Sequence, residues 1–201
     1  MSNPILAAIP IKPFGVAKRR LSDRLDRQKR SSVGRAIAAR TAEAATDAGA
    51  LVAIVTGDSG VASWARGLGY LTIDENQGEA SGLNGAAQAV LVEASRRQRS
   101  WAVIHADLPL VTPPALRTVF DLARTSTVLV PSYDGGTNIV AGSGTAFRFA
   151  YGAGSFHRHL AANPGAVVHT SSQLALDLDT KVDLSRALDL TAGTWLKRLV
   201  S

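Results

Sequence analysis

The chain alternates short apolar segments with longer segments of helical character along most of its length. Apolar runs of about four to eight residues that are rich in β-branched side chains are typical of strands. Strands and helices in regular succession predict a mainly parallel sheet with helices on both faces, because helices usually form the crossovers between parallel strands. Five strands are predicted, at residues 5–11, 51–56, 70–74, 101–106 and 127–131.

Glycines and prolines mark the helix boundaries between these strands. Gly49 and Gly69 end two helical patterns, and Thr112 followed by two prolines opens another. The predicted helices cover residues 31–49, 60–69, 81–98 and 112–124. Residues 132–154 contain six glycines and no helical period, which predicts a long irregular binding loop. Since no repeat or linker interrupts the pattern, we expect residues 1–201 to form one domain.

Three aspartates are candidate metal ligands. Asp107 follows the fourth predicted strand, and Pro109 prevents the chain from continuing that strand. Asp107 should therefore lie at the carboxyl edge of the sheet, where open α/β sheets bind ligands. If the segment LALDLD is also a strand, Asp177 and Asp179 point to the same face and can reach one cation. Carboxylates suit Mg²⁺, which leaves its other positions to water and substrate phosphates, so these residues predict a phosphate-handling enzyme.

A structural interpretation of the last two aspartates stays open at this point. Asp179 precedes Thr180 and the helical pattern VDLSRALDL. In this interpretation Asp179 caps the N-terminus of that helix, and Asp177 is a solvated edge residue.

Composition excludes several kinds of chemistry. The chain has no Cys, which excludes disulfides, Cys-bound zinc and thiol nucleophiles. His157 and His159 are two residues apart and do not share a helix face, so we expect structural or local roles for them and for the other two His. The N-terminal sequence has no basic region and only a short apolar run, which predicts a cytoplasmic location.

The basic residues are concentrated near the N-terminus. Residues 12–40 contain ten Lys or Arg and two Asp, a net charge of +8, whereas the rest of the chain contains twelve Lys or Arg and fourteen Asp or Glu, a net charge of −2. An anion is therefore expected at this end. A nucleotide triphosphate fits at least as well as nucleic acid, because the segment's single aromatic residue, Phe14, provides no stacking surface for successive bases.

Two segments at the predicted carboxyl edge suit a nucleotide. Lys12, Lys18 and Arg20 follow the first strand and suit triphosphate oxygens and the departing pyrophosphate, although a solvated basic helix explains them as well. Gly82 and Asn84 belong to SGLNGAA, where small residues let a ligand approach a helix N-terminus. Taken alone, this motif is more often a simple helix start.

Six motifs occur in an order that resembles a known family. They are IPIKPFGVAKRRL, SGLNGA, HADLPLV, DGGTNI, YGAGSF and LDLDT, spread over residues 5–190. Together they resemble the 2-phospho-L-lactate guanylyltransferase family, which includes the phosphoenolpyruvate guanylyltransferases. The resemblance implies a single Rossmann-like nucleotidyltransferase domain of the glycosyltransferase-A type. It also implies transfer of GMP from GTP onto a small phosphorylated carboxylic acid, in biosynthesis of the deazaflavin coenzyme F-420.

The resemblance also assigns roles to individual residues. The ligands of Mg²⁺, which would bind the acceptor's phosphate, would be Asp107, Asp177 and Asp179. Thr137, Gly152 and Ser155 would hold the acceptor's carboxylate. This agrees with the pattern of YGAGSF, where a glycine turn opens a helix at Ser155 and the helix N-terminus attracts anions.

The implied reaction has a simple chemistry. A phosphate oxygen of the acceptor attacks the α-phosphorus of GTP and expels pyrophosphate. Since a phosphate monoester has a second pKa of about 6 and is mostly dianionic at neutral pH, no general base is required. Catalysis then consists of positioning and charge neutralisation, for which Asp107, Lys18 and Arg20 are the predicted catalytic residues.

Other interpretations remain. The chain would suit another nucleotidyltransferase of the same fold, such as a molybdopterin cytidylyltransferase, or a non-catalytic module that binds nucleic acid through residues 12–40. For the enzyme we expect GTP and an acceptor as partners, and neither nucleic acid nor a membrane. Phosphoenolpyruvate, 2-phospho-L-lactate and 3-phosphoglycerate all fit as acceptors, and the Ala- and Arg-rich composition favours phosphoenolpyruvate. An unstable product would call for hand-over to the next enzyme of the pathway, and the oligomeric state is left open.

Overall fold

The computed structural model describes residues 4–16, 18–22, 25–75 and 82–200. Their strands are β1 (Leu6–Pro10), β2 (Leu51–Val55), β3 (Leu71–Ile73), β4 (Trp101–Ile104), β5 (Val128–Pro131), β6 (Thr137–Gly142) and β7 (Val167–Val168). They form one sheet in the order β3-β2-β1-β4-β6-β5-β7. β1 pairs in parallel with β2 and β4, and β2 pairs in parallel with β3, whereas β6 is antiparallel to both of its neighbours. The five predicted strands and the mainly parallel sheet are confirmed.

The helices confirm the predicted alternation. They are α1 (Arg27–Asp47), α2 (Ser59–Gly67), α3 (Gly82–Arg96), α4 (Pro113–Leu122), α5 (Ser155–Ala162), α6 (Lys181–Asp189) and α7 (Lys197–Val200), with 3-10 turns at Phe14–Val16, Arg19–Leu21 and Thr191–Leu196. The predicted start of the third helix at Ser81 lies outside the described residues, as do Asp23 and Arg24 of the basic segment. Local caps set several of the boundaries: the side chain of Asp26 accepts a hydrogen bond from the N–H of Lys29 at 2.7 Å. None of the described helices is both long and apolar enough to cross a membrane.

Strand β6 corrects the prediction of a long irregular loop over residues 132–154. All six of its residues are buried, and it lies between β4 and β5 in the interior of the sheet. Glycines on both sides of the apolar run obscure the strand pattern, because residues 132–154 as a whole have neither strand nor helical periodicity. The apolar run Ile139–Ala141 was too short to stand out against that background.

Alternate side chains of the strands face two separate layers of helices. Ala7 and Ile9 of β1 pack in a cluster with residues of α1, α2 and α4, whereas Leu6 and Ala8 pack with α3, α5 and the aromatic residues Phe147 and Tyr151. Helices therefore cover both faces of the sheet, as the sequence predicts. This leaves the carboxyl edge of the parallel strands as the open side on which loops can form a site.

The segment that carries the last two aspartates crosses this edge instead of forming a strand. Residues 174–179 have no strand assignment. The carbonyl of Ala175 accepts from the N–H of Tyr133, just beyond β5, and the N–H of Leu178 donates to the carbonyl of Asp107, just beyond β4. The prediction of a strand is wrong because these bonds run to the ends of strands and not along one.

Candidate active site

Two of the three predicted metal ligands meet at the carboxyl edge around a lysine. The ammonium nitrogen of Lys18 lies 2.6 Å from Oδ2 of Asp107 and 3.2 Å from Oδ1 of Asp179. The side chain of Lys18 is only 7% exposed, whereas that of Asp107 is 25% and that of Asp179 is 48% exposed. The backbone at Lys18 has a φ of 59°, a conformation that non-glycine residues rarely adopt. The backbone is therefore locally strained at Lys18, whose side chain lies in the site.

The crossing segment brings Asp177 and Asp179 to this point. Leu176 and Leu178 are buried in a cluster with residues of α1 and α6, while Asp177 and Asp179 are half-buried on the other side of the extended chain. The prediction that both aspartates share a face is consistent with this alternation, although the segment is not a strand.

Asp179 is not the cap of the following helix. The side chain of Thr180 accepts from the N–H of Asp183, and the carboxylate of Asp183 accepts from the N–H of Thr180 at 2.7 Å, which completes a capping box at the start of α6. Thr180 and Asp183 supply the hydrogen bonds that cap the helix N-terminus. The carboxylate of Asp179 is therefore available to the site.

The charges in this cluster shift one another's protonation. Burial opposes the charged form of Lys18, but the carboxylates of Asp107 and Asp179 outweigh it and raise the pKa of the ammonium. Burial likewise opposes ionisation of Asp107, but Lys18 lowers its pKa, so this pair stays charged. Burial and the nearby carboxylates of Asp107 and Asp134 raise the pKa of Asp177 to about 7. An excess of negative charge therefore surrounds the one ammonium.

The cluster meets some of the requirements of a divalent-cation site. The ammonium of Lys18 already occupies a cation position between the carboxylates of Asp107 and Asp179. Oδ1 of Asp107 is buried and has no hydrogen-bond partner in the part of the chain that the structure describes, so one further acceptor faces the same region. Within the described ranges, however, no three acidic or histidine side chains are arranged as a ready-made metal site. Asp177 as a third ligand stays a prediction.

A cavity of about 290 Å³ opens beside this cluster. Its polar lining comes from Lys12, Lys18, Glu75, His105, Asp107 and Asp179, and its apolar lining includes Pro10, Ile11, Phe14, Leu83 and Ala86. An apolar pocket with a few convergent charged groups is the usual form of a small-molecule site. The geometry suits a planar base against the apolar wall and phosphates near the lysines.

The other predicted nucleotide ligands lie at different distances from this cavity. Arg20 is exposed and does not line it. Gly82, with a φ of 66°, begins α3 next to the lining residue Leu83. Oδ1 of Asn84 accepts from the N–H of Tyr151 at 2.8 Å, and its Nδ2 donates to the carbonyl of Tyr151 at 3.4 Å. The amide of Asn84 thus ties α3 to the segment before α5, and contact with a nucleotide stays a prediction.

Two of the three predicted acceptor residues, Thr137 and Ser155, contact each other. The hydroxyl of Ser155 donates to Oγ1 of Thr137 at 3.2 Å, and both side chains are buried. Thr137 begins β6, which enters the sheet in the opposite direction and so places its first residue at the carboxyl edge. α5 begins at Ser155, as predicted. The opposite direction of β6 therefore brings these hydroxyls to the same edge as Asp107.

Gly152 lies in the turn before α5, where its backbone is one that only glycine adopts easily. Its φ is 126°, and a Cβ built there would lie 2.7 Å from Nη2 of Arg158. The guanidinium of Arg158 therefore packs directly over this glycine. A side chain at position 152 would displace a positive group from the mouth of the predicted acceptor site.

Sequence reasoning assigned His159 a structural or local role and did not predict its contact with Thr137. Its Nδ1 lies 3.0 Å from Oγ1 of Thr137, and its ring lies edge-on to that of Tyr151 with centroids 4.8 Å apart. The prediction compared His159 only with His157, which is exposed. The spacing from Ser155 carried the useful signal, because residues four apart on a helix share a face.

Comparison with known proteins places the chain among guanylyl transferases. The sequence profile of the family described as "Guanylyl transferase CofC like" matches residues 5–198. A phosphoenolpyruvate guanylyltransferase of Nocardia farcinica is 34% identical over 98% of this chain and 91% of its own length. A 2-phospho-L-lactate guanylyltransferase of Methanobrevibacter smithii is 26% identical over 92% of this chain and 84% of its own length.

Solved structures share the fold at low sequence identity. A protein from Desulfovibrio desulfuricans described as a nucleotide-diphospho-sugar transferase gives a TM-score of 0.76 at 12% identity, over 97% of this chain and 96% of that one. Rv0371c of Mycobacterium tuberculosis in complex with manganese gives a TM-score of 0.56 at 18% identity, over 94% of this chain and all of that one (100%). These matches establish the architecture, a nucleotidyltransferase-type α/β fold with a mainly parallel sheet.

Proposed function

The chain belongs to the CofC-like guanylyl transferase family, and we propose that it transfers GMP from GTP onto the phosphate of a small phosphorylated carboxylic acid. The observation that carries the proposal is the meeting of Lys18, Asp107 and Asp179 beside a cavity of nucleotide-binding character. The product would serve biosynthesis of the deazaflavin coenzyme F-420, and we expect the protein to work in the cytoplasm without nucleic acid or a membrane.

The bonds that change are those at the α-phosphorus of GTP. A phosphate oxygen of the acceptor forms a new bond to this phosphorus, and the bond to the β-phosphate oxygen breaks to release pyrophosphate. The acceptor's phosphate is already mostly dianionic at neutral pH, with a second pKa of about 6, so no side chain needs to remove a proton. The protein's task is to hold two negatively charged groups in line and to offset their repulsion.

Lys18 is the residue best placed to bind the negatively charged triphosphate. Its ammonium lines the cavity, and its pKa is raised, so it enters the reaction charged. Lys12 lines the same cavity from the end of β1 and adds a second positive group. Arg20 is exposed on the same segment, and we propose that it meets the departing pyrophosphate.

Asp107 and Asp179 would hold a divalent cation, with Asp177 as the third ligand. Carboxylate oxygens are the donors that Mg²⁺ and Mn²⁺ prefer, and the ammonium between Asp107 and Asp179 marks a position that already binds positive charge. A bound Mg²⁺ would offset charge on the phosphates and help to orient them.

Phosphoenolpyruvate is the favoured acceptor, and 2-phospho-L-lactate is the alternative. Relatives named for phosphoenolpyruvate are 32–34% identical over most of this chain. Those named for 2-phospho-L-lactate that match most of the chain are 26–30% identical, and one that matches 43% of it is 41% identical. The two acids differ by one carbon–carbon double bond, so the carbon that bears the phosphate is planar in phosphoenolpyruvate and tetrahedral in 2-phospho-L-lactate. The hydroxyl of Thr137 and the N-terminus of α5 at Ser155, with the turn at Gly152, would bind the carboxylate that both acids share.

Pyrophosphate release by the purified protein with GTP and Mg²⁺ tests this function. Phosphoenolpyruvate, 2-phospho-L-lactate and 3-phosphoglycerate are supplied separately, and release is expected with phosphoenolpyruvate. Parallel reactions with CTP and ATP test the alternative of another nucleotidyltransferase of this fold, for which CTP would be preferred. Release with CTP and not GTP, or with none of the three acceptors, would contradict the proposal.

A further inference from the structure

The hydroxyl of Thr137 has two close partners. Its Oγ1 accepts a hydrogen bond from the hydroxyl of Ser155 at 3.2 Å and lies 3.0 Å from Nδ1 of His159. All three residues are buried. A threonine hydroxyl has one proton to donate and two lone pairs that accept. Which partner receives the proton therefore depends on the tautomer of His159.

The other ring nitrogen of His159 indicates the tautomer. Nε2 is buried and lacks a hydrogen-bond partner among the residues that the structure describes. If Thr137 donated to Nδ1, the neutral ring would carry its proton on Nε2 and bury an unpaired N–H group. If Nδ1 carries the proton, the unpaired atom is an acceptor, and buried unpaired acceptors are more common than buried unpaired donors. The geometry favours an Nδ1–H that donates to Thr137.

The surroundings hold the ring in place and keep it neutral. The rings of Tyr151 and Phe147 pack against it, with centroids 4.8 Å and 5.6 Å away. Burial, together with the positive charge of Arg158, lowers the pKa of His159 to about 4. The main chain of Tyr151 is in turn fixed by Asn84. The hydrogen-bonded unit is therefore rigid and neutral at physiological pH.

We propose that His159 is a positioning residue of the acceptor site. Its Nδ1–H and the hydroxyl of Ser155 fill both lone pairs of Thr137 Oγ1, so the proton of Thr137 is left to donate to an oxygen of the acceptor. This inference rests on the proposed function, which places the acceptor's carboxylate at Thr137. The site should therefore bind an acceptor group that accepts a hydrogen bond from Thr137, such as a carboxylate. It should bind poorly a group that can only donate a hydrogen bond to Thr137.

Two variants of His159 separate positioning from simple packing. His159→Asn places an amide nitrogen near the position of Nδ1 and can still donate to Thr137, whereas His159→Leu keeps a side chain of similar bulk without a donor. We expect His159→Leu to raise the KM for the acceptor by about tenfold, the effect of one misdirected hydrogen bond to a charged group, with the KM for GTP little changed. His159→Asn should recover most of the loss.

A third variant controls for lost stability. Leu160→Ala removes packing from the next position of α5, where Leu160 contacts the same aromatic cluster. It should lower the melting temperature without changing the ratio of the two KM values. An unchanged acceptor KM in His159→Leu, or an equal rise in the KM for GTP, would overturn the proposal.

The tautomer can be measured without any activity. The ¹⁵N chemical shifts of the His159 ring in the wild-type protein at neutral pH should show protonated Nδ1 and unprotonated Nε2. A proton on Nε2 would overturn the positioning role even in an active enzyme. If the wild-type protein releases no pyrophosphate with any acceptor, the proposed function fails, and the ring shifts still decide the hydrogen-bond arrangement.

Discussion

Lys18 and Asp107, 89 positions apart in the chain, form an ion pair with a nitrogen–oxygen distance of 2.6 Å. The same ammonium contacts Asp179, 161 positions away. Two predicted metal ligands are thus bridged by the ammonium of a residue predicted to bind the nucleotide. The phosphate and metal parts of the site are therefore coupled through one side chain.

We expect Lys18→Met to bind Mn²⁺ more tightly than the wild-type protein in the absence of nucleotide. Removing the ammonium leaves the partly buried carboxylate of Asp107 and the more exposed carboxylate of Asp179 without their cation. A gain of about tenfold follows from the lost neutralisation. Titration with Mn²⁺, followed by electron paramagnetic resonance of the free ion, measures the affinity. Lys12→Met is the matched control, because Lys12 lines the same cavity but is exposed and should change the affinity little. Equal or weaker binding in Lys18→Met would contradict the expectation.

Asp107→Asn should lower the rate of pyrophosphate release by at least about a hundredfold, since it removes a carboxylate proposed to hold the divalent cation and paired with Lys18. The fold should persist, because the amide keeps the shape of the carboxylate and the main-chain bond to Leu178 is unaffected. Circular dichroism checks the fold beside the activity assay. Asp121→Asn, an exposed change on α4, should retain wild-type activity. Near-normal turnover in Asp107→Asn would remove Asp107 from the catalytic residues.

Asn84→Ala should destabilise the protein by about 1–3 kcal/mol, because it leaves the N–H and carbonyl of Tyr151 without the partners that Asn84 supplies. Chemical denaturation measures the free energy of unfolding. Gln88→Ala lies one turn further along the same helix, is exposed, and should change this free energy by less than about 0.5 kcal/mol. A similar effect of both substitutions would show that the link between Asn84 and Tyr151 contributes nothing.

His159 should make the protein less stable as the pH falls. Burial lowers its pKa from 6.5 to about 4, so the unfolded chain takes up a proton between these values while the folded protein does not. The contribution of the neutral ring is complete above pH 6.5 and is lost progressively as the pH drops toward about 4. The difference in unfolding free energy between the wild-type protein and His159→Asn should therefore shrink over this range. His157→Asn, exposed on the same helix, should leave the pH dependence of the wild-type protein in place, and a constant difference for His159→Asn would contradict the assignment.

Local signals in the sequence predicted the parts of the fold that depend on neighbouring residues. Asp107 could be placed at the carboxyl edge because an apolar strand precedes it and Pro109 follows it. The cap at Thr112 and the glycine turn before Ser155 were equally local, and the structure has both where the pattern put them.

What could not be predicted depends on contacts between distant segments. Spacing within residues 174–179 correctly suggested that Asp177 and Asp179 share a side, but only the hydrogen bonds to Tyr133 and Asp107 show that this segment crosses the sheet edge. No local pattern pairs Lys18 with Asp107, or joins Asn84 to Tyr151. Thr180 replaced Asp179 as the helix cap because Asp183 completes its capping box, a choice that sequence left open.

The reversed direction of β6 has a consequence for how such a protein can diverge. The residues proposed for the acceptor's carboxylate, and the histidine proposed to position one of them, lie within one continuous stretch, 137–159, whereas the cavity beside Lys18 is built mostly from earlier parts of the chain. Exchanging that stretch between relatives would alter which acid is modified and leave the nucleotide half of the molecule nearly untouched. We therefore expect residues 137–159 to determine most of the specificity for the acceptor.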